Sequence, residues 1–495
     1  MLETLPTRVV IVGGGIAGLA AAYRLNRAAP GIAVTLIESG SRLGGKIVTE
    51  RVDGFVVEGG PDSFLSYKPR GIGLCRELGL ADRLQGTNEQ AHHSFVMRGG
   101  NLYELPEGLT GLIPSRFGPM LRTGLISPLG KLRMGLDYFL PPRSQDGDEA
   151  LATFVTRRLG REVYERLVEP LLGGIYAGDG EQLSLMATFP QLRRAELEHG
   201  GLIKGVLAAM RSPTQRHPDF GQTVDSSGSN SSPTKGSAFV TLRAGLGEMV
   251  ETLEARSGGV EVWLGTRVVR VCKGSKETPP DGGYTLTLES GERLHAAALL
   301  LATPAYVTAD LVADLDPGMA DTLRNIPYSS TATVSVAYPL ADIPRRLGGY
   351  GYIVPRAEGR AVLACTWTSS KFPHRAPEGF ALIRAFIGRT GQEGVLDWTG
   401  ENLLGLVRSE LRDILGISVP PIFHRIFRWP RSMPQYTLGH LDRLAVIEER
   451  LAAHSGLFVA GSAYRGIGIP DCIQSGEVAA ERILSLLRMS FENRT

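Results

Sequence analysis

The sequence predicts an α/β protein: a nucleotide-binding unit of parallel strands and helices, assembled from separated stretches of chain, with a mixed-sheet unit and a helical unit beside it. Three observations predict this. A strand–Gly-turn–helix–strand pattern opens the chain at Arg8. Strand-rich sequence returns after a long helical stretch. A second strand–Gly-turn–helix closes the chain near Cys472. At 495 residues the chain is too long for one ordinary core, and about 150 residues per domain suggests roughly three units.

The first element is the apolar run Val9–Val12, the pattern of a parallel strand buried on both faces. Gly13, Gly15 and Gly18 then give G-x-G-x-x-G across "GGGIAG", which includes Gly14, Ile16 and Ala17, and the helix-forming "LAAAYRL" follows. Gly13 permits the tight turn, Gly15 lets the backbone approach a pyrophosphate, and Gly18 lets the helix pack on the strand. The helix N-terminus offers free N–H groups to phosphates. "AVTLIE" is the second strand and ends in Glu38, about 20 residues beyond Gly18, where an acid accepts hydrogen bonds from a ribose diol. The unit is therefore a Rossmann-type dinucleotide site, and the acid favours FAD or NAD over NADP.

"GSRLGGKI" (residues 40–47) is one residue short of a phosphate-cradling P-loop. Ile47 stands where that loop needs a hydroxyl for Mg²⁺, and the sequence that follows has Asp53-Gly54 between β-branched and aromatic runs, a hairpin signal rather than a helix. The stretch reads instead as a loop beside the dinucleotide, with Arg42 and Lys46 as phosphate-neutralising charges.

Lys and Arg nearly balance Asp and Glu, for a net charge of +2, which argues against a nucleic-acid partner. Cys75, Cys272, Cys365 and Cys472 are widely spaced, with no C-x-x-C, and read as reduced packing thiols of a cytoplasmic protein. There is no H-E-x-x-H and no G-x-S-x-G. No metal site, catalytic triad or general base is therefore assigned. The N-terminus lacks a signal peptide's basic n-region, and no run of 18 apolar residues predicts a membrane-spanning helix.

Between Leu109 and Arg143, five basic residues face the single acid Asp137 in a Leu-, Ile-, Met- and Phe-rich segment. Such a segment suits an anionic bilayer surface, but amphipathic helices more often bury their apolar face in a core. Residues 150–210 read as mainly helical. The Ser/Pro/Gly-rich stretch 211–237 reads as a mobile surface insertion without assigned chemistry.

Several motifs together carry a family resemblance: "GGGIAGLAAAYRL", "RLGGK" after Glu38, "EGGPDSF" (58–64), "GGIYAGDGEQLSLMATFP" (173–190), "FRWPRSMPQYTLGHLDRL" (427–444) and "GSAYRGIGIPDCIQSG" (461–476). The chain resembles the bacterial oxygen-dependent protoporphyrinogen oxidase and coproporphyrinogen III oxidase family, part of the amine-oxidase-like flavoproteins. The resemblance covers all but the Ser-rich insertion. It implies an amine-oxidase-like fold: FAD-binding parts at 1–90, 238–310 and 441–495, a substrate sheet at 91–108 and 311–440, and a helical substrate or membrane-docking subdomain at 109–210.

The resemblance implies non-covalent FAD, with Cys472 left to packing. Gly13–Gly18 would hold the pyrophosphate, and Glu38 with Ser39 the ribose. Arg42 and Lys46 would lie along the cofactor, and Gly60, Pro61, Asp62 and Ser63 would approach the ribityl–flavin end. Val268 would touch the adenine, while Trp429, Ile467, Gly468 and Ile469 would close around the flavin. It implies the six-electron oxidation of a porphyrinogen in haem biosynthesis, with O₂ as acceptor and H₂O₂ as product, in a broad apolar pocket. Ile175 and Tyr176 would line the pocket, and Lys68, Arg70 and Arg98 are the candidate partners of the propionates. The Arg expected before the aromatic residue of the "SFVMRGG" strand is Ser94 here, so that assignment does not transfer. Coproporphyrinogen III and protoporphyrinogen IX both remain open, with a slight lean to the first. So do a homodimer, a peripheral contact at the inner membrane face and a hand-over to the next pathway enzyme. The rival readings are an amine oxidase or carotenoid desaturase, and a flavin-free escort, which the intact Gly motif argues against.

Overall fold

The computed structural model describes residues 8–106, 109–110, 113–114, 117–144, 147–211, 237–274 and 283–492. The expected Ser-rich insertion lies outside the described residues apart from its two ends.

A five-stranded parallel sheet organises the nucleotide unit. Its order is Val260–Trp263, Ala33–Ile37, Arg8–Val12, Ala298–Leu301, Leu457–Val459. Strands from three distant stretches of chain thus share one sheet, as the discontinuous reading expects. Val9, Val10 and Ile11 are fully buried, which explains why the central strand is apolar at every position rather than alternating. The helix Ile16–Ala28 packs along the C-terminal helix Ile469–Glu492, and small residues permit the approach: a Cβ on Gly476 would lie 2.0 Å from the Ala17 carbonyl oxygen.

The loop carrying Lys46 runs into an antiparallel hairpin, Thr49–Val52 with Phe55–Glu58. Asp53 (φ 49°) and Gly54 (φ 80°) make its turn, both in the left-handed region that a two-residue hairpin of this twist needs. No helix follows Lys46, so the P-loop alternative fails on structure as it did on sequence.

The second unit is a seven-stranded mixed sheet in the order Phe423–Pro434, Tyr328–Pro339, Phe380–Ile387, Val362–Thr366, Gly351–Ile353, Ser94–Arg98, Asn101–Glu104. Only Gly351–Ile353 and Ser94–Arg98 pair in parallel. One face receives the hairpin, with Phe55 and Val57 packing on Ala337 and Leu382. The helical unit, Leu151–Leu159 through Leu202–Arg211, closes over Phe154, Leu167 and Leu172, all fully buried. Inside it Arg158 Nε lies 2.5 Å from Asp137 Oδ1, and neither side chain is exposed.

The basic, apolar stretch before it forms Phe117–Arg122 and Pro128–Gly135. Its apolar residues divide: Met120, Leu125, Ile126 and Met134 are buried in the helical-unit core, whereas Leu129 is 78% exposed and Phe139 77%. The usual expectation for an amphipathic helix holds for that buried side and not for the exposed leucines.

Candidate functional site

At the start of the Ile16–Ala28 helix, Gly13 takes a φ of 109°, and a Cβ on it would lie 2.6 Å from the Ala302 carbonyl oxygen. A Cβ on Gly18 would lie 2.0 Å from the Gly13 carbonyl oxygen, so the helix rests directly on the turn. Gly15 is different. Nothing in the protein comes within 4 Å of the Cβ it lacks, so open space lies over its backbone at the helix N-terminus. That is the cradle a pyrophosphate needs.

Glu38 ends the second strand with both oxygens engaged: Gly14 N donates to Oε2 and Gly40 N to Oε1, each at 2.7 Å. Ser39 Oγ adds a longer bond of 3.3 Å. These donors fix the carboxylate, and Oε2, which accepts only from Gly14, keeps a lone pair for a ribose hydroxyl. Thr266 N donates to the Glu38 carbonyl, which brings Val268, at the head of the next strand, to this end of the site.

The "RLGGK" loop crosses from this end to the other. Gly44 N donates to Gly14 O at 2.8 Å, and a Cβ on Gly45 would lie 3.2 Å from Gly15 Cα. The Lys46 carbonyl oxygen then presses on Gly60, where a Cβ would sit only 1.8 Å away. The Arg42 guanidinium turns back on its own loop and donates to the carbonyls of Leu43, Gly45 and Ile47. Lys46 is partly exposed yet deep, and burial lowers its pKa, with Cys472 the one group that offsets this.

The turn Gly59–Ser63 is held from the seven-stranded mixed sheet. Trp429 Nε1 (2.9 Å), Thr333 Oγ1 (2.9 Å) and Arg384 Nη2 (3.1 Å) all donate to Gly59 O, and Arg384 also reaches Gly60 O. Asp62 takes Ser63 Oγ at 2.6 Å and pairs with Lys371 at 3.3 Å. Burial alone would raise the Asp62 carboxyl, but Lys371 and Arg384 outweigh it and hold the group well below the usual carboxylate range. Sequence reasoning missed Arg384, Lys371 and Thr333. The one signal for Arg384 was a lone charge in the apolar strand "FALIRAFI".

The C-terminal turn closes the far side. Cys472 Sγ lies 4.0 Å from Gly466 O and 3.9 Å from Ile467 O. Burial pushes its thiol up to about 12, so it stays protonated. Gly468 N donates to Asp471 Oδ2, and Asp471 also receives Lys68 Nζ. Ile469 begins the last helix, buried in the nucleotide-unit core. Ile467 packs in the same cluster as Tyr176 and Ile353, and Ile353 also meets Ala177, Leu363 and Phe386. The helical unit, the mixed sheet and the C-terminal turn therefore share one apolar wall. Tyr176 is buried in it and Ile175 is 44% exposed.

The remaining basic candidates are placed elsewhere or engaged. Arg70 pairs with Glu477 and Glu77, joining a surface helix to the C-terminal one. Arg98 donates to the Gly124 and Leu125 carbonyls and lies over Tyr103. Among the described residues no cluster of three or more His, Cys, Asp or Glu could hold a metal.

A parallel sheet with an open glycine cradle, an acid fixed for a ribose and a second Gly turn at the C-terminal helix defines a dinucleotide-dependent oxidoreductase of the flavin type. The chain belongs to the flavin-containing amine oxidoreductases, whose family model matches residues 16–484. It is 36% identical to coproporphyrinogen III oxidase of Bacillus subtilis (strain 168), over 97% of this chain and 98% of that one. It is 32% identical to the chloroplastic protoporphyrinogen oxidase of Nicotiana tabacum, over 98% of this chain and 86% of that one. A crystal structure from Exiguobacterium sp. 255-15, assigned there to protoporphyrinogen oxidase, superposes with a TM-score of 0.81 at 33% identity, over 97% of this chain and 99% of that one. The cofactor is FAD, and the residues fit it: the space over Gly15 is what a pyrophosphate would fill, and among the described residues the Lys46 ammonium has no partner to keep it from an electron-rich ligand.

Proposed function

We propose that the protein oxidises coproporphyrinogen III to coproporphyrin III. The observation that carries this is the full-length likeness to a bacterial coproporphyrinogen III oxidase in a chain whose dinucleotide cradle is intact. The higher identity to that enzyme than to the chloroplastic protoporphyrinogen oxidase supports the choice of substrate.

Bound FAD supplies a hydride acceptor that O₂ reoxidises, with H₂O₂ released, and three such cycles remove six electrons and six protons from the macrocycle. The protein's own part is placement. Gly13–Gly18 and Glu38 hold the dinucleotide end, while Arg384, Thr333 and Trp429 fix the Gly59–Ser63 turn against the substrate sheet. The wall of Tyr176, Ile353, Leu363, Phe386 and Ile467 keeps water from the reacting carbons. Lys68, held by Asp471, supplies a cation near that wall for a propionate. The reading is tested by aerobic assay of purified protein with coproporphyrinogen III and protoporphyrinogen IX, following porphyrin fluorescence. A rate at least tenfold higher with coproporphyrinogen III is expected. Product from neither, or turnover of amines instead, overturns the reading.

A second feature points to a peripheral membrane contact. Leu121, Leu129, Leu132 and Phe139 are each more than 60% exposed on the helices Phe117–Arg122 and Pro128–Gly135 and the turn after them. Arg122, Lys131 and Arg133 share the segment, the composition of an interfacial surface. Among the described residues no helix is long and apolar enough to cross a membrane. Co-sedimentation with anionic vesicles tests the contact. Wild type should pellet and a Leu129→Glu/Leu132→Glu variant should not, whereas equal behaviour of the two rules it out.

A further inference from the structure

Every other cation named at this site is engaged. Arg42, Arg98 and Arg384 donate to carbonyls; Lys68, Arg70 and Lys371 pair with carboxylates. Lys46 is the exception: among the described residues its ammonium has no hydrogen-bond or ion-pair partner.

Its position is equally particular. The loop passes the pyrophosphate cradle at Gly44 and Gly45, which touch Gly14 and Gly15, and only then reaches Lys46. The Lys46 backbone abuts Gly60, and its ammonium is close enough to Cys472 for the two to interact electrostatically; the Cys472 sulfur lies against the Gly466 and Ile467 carbonyls. Both neighbours belong to the turns that close on the flavin end of the site. Lys46 therefore lies past the glycine cradle, at those two turns.

We infer that Lys46 is the cation that tunes the flavin ring rather than the anchor of its phosphates. The inference rests on the FAD reading above. Reduction adds electron density to the ring, and a positive charge in a low-dielectric site stabilises the reduced form more than the oxidised one. Lys46 thereby raises the reduction potential and makes hydride acceptance easier. Burial also depresses its own pKa, as expected of a charge that no described residue pairs with.

The test uses purified holoenzyme of wild type, Lys46→Met and Lys46→Arg, with Lys46→Gln replacing the Met variant if that fails to fold. Flavin content is measured after desalting and the midpoint potential by anaerobic dye equilibration. The expected result is flavin retained in all three, with the reduction equilibrium of Lys46→Met at least tenfold less favourable, about 30 mV lower, and that of Lys46→Arg close to wild type. An unchanged potential in Lys46→Met overturns the inference. So does loss of flavin from Lys46→Met with retention by Lys46→Arg, the pattern of a phosphate anchor. Wild type purified without flavin would instead refute the cofactor reading itself.

Discussion

Lys68 Nζ lies 2.6 Å from Asp471 Oδ2, tying the loop after the Gly59–Ser63 turn to the first turn of the C-terminal helix. Two segments of the candidate site are thus joined by a partly exposed ion pair. The pair leaves Lys68 oriented but not saturated, since an ammonium has three donors.

Lys68→Met should therefore act on binding. Losing one charge-assisted contact to a substrate carboxylate costs about 1.5–3 kcal/mol, roughly a 10- to 100-fold rise in KM. The value of kcat should change by less than threefold, because the apolar wall and the flavin turns are untouched. Steady-state kinetics on coproporphyrinogen III read both. A fall in kcat at constant KM would make Lys68 a brace for the C-terminal turn and nothing more.

Gly15 and Gly18, the second and third glycines of the motif, should part company when each is changed to alanine. In Gly18→Ala the new methyl would sit 2.0 Å from the Gly13 carbonyl oxygen, so helix and strand must separate and the protein should fold poorly. In Gly15→Ala the methyl meets nothing of the protein, and the backbone (φ −71°) suits alanine. Apoprotein stability should stay within about 0.5 kcal/mol of wild type, while flavin content after purification falls at least tenfold. Chemical denaturation beside flavin absorbance separates the two effects. Full flavin occupancy in a folded Gly15→Ala would mean that the open space belongs to something other than the pyrophosphate.

The cradle was legible in the sequence because its logic is local: strand, three glycines, helix and an acid one strand on. The Asp53-Gly54 hairpin was legible for the same reason, since two positive φ angles at adjacent residues need that dipeptide. Arg384 and Lys371 were not. Their partners lie 325 and 309 residues away, and no spacing rule links a charge in one sheet to a carbonyl of another unit. The Leu129 and Phe139 face shows a different limit: periodicity reveals that a helix has an apolar side, but not whether the fold supplies anything to cover it. Arg42 shows a third, for its charge was evident while the carbonyls that engage it depend on how the loop curls.

The Arg158–Asp137 pair predicts a large stability effect far from the chemistry. Arg158 also donates to the carbonyls of Asp137, Leu140, Pro141 and Gly200, and Asp137 accepts from Ile203 N. Arg158→Met leaves a buried carboxylate without its counter-charge, a loss of about 3–5 kcal/mol. The urea midpoint should drop accordingly, with the flavin spectrum of the folded fraction unchanged. A double variant, Arg158→Met/Asp137→Leu, should recover much of the loss, since it is the orphaned charge rather than the missing bond that costs most.

Lys371 predicts a pH dependence whose sign follows from Asp62. In wild type the Asp62 carboxyl is held below its unfolded value, about 3.9, by Lys371 and Arg384 acting against burial. Its contribution to stability is therefore complete above pH about 4 and fades only as pH falls toward the folded value. Lys371→Met removes the nearer cation and leaves burial stronger relative to Arg384. The folded value then rises, and the ionised carboxylate becomes a burden at neutral pH. The stability gap between wild type and variant should be widest near pH 7 and shrink as pH falls through the variant's raised folded value toward the wild-type one, since the unfolded chains titrate alike. Denaturant unfolding from pH 3 to pH 8 measures it. A gap independent of pH would show that Lys371 acts through its packing on Phe372 and Phe239 alone.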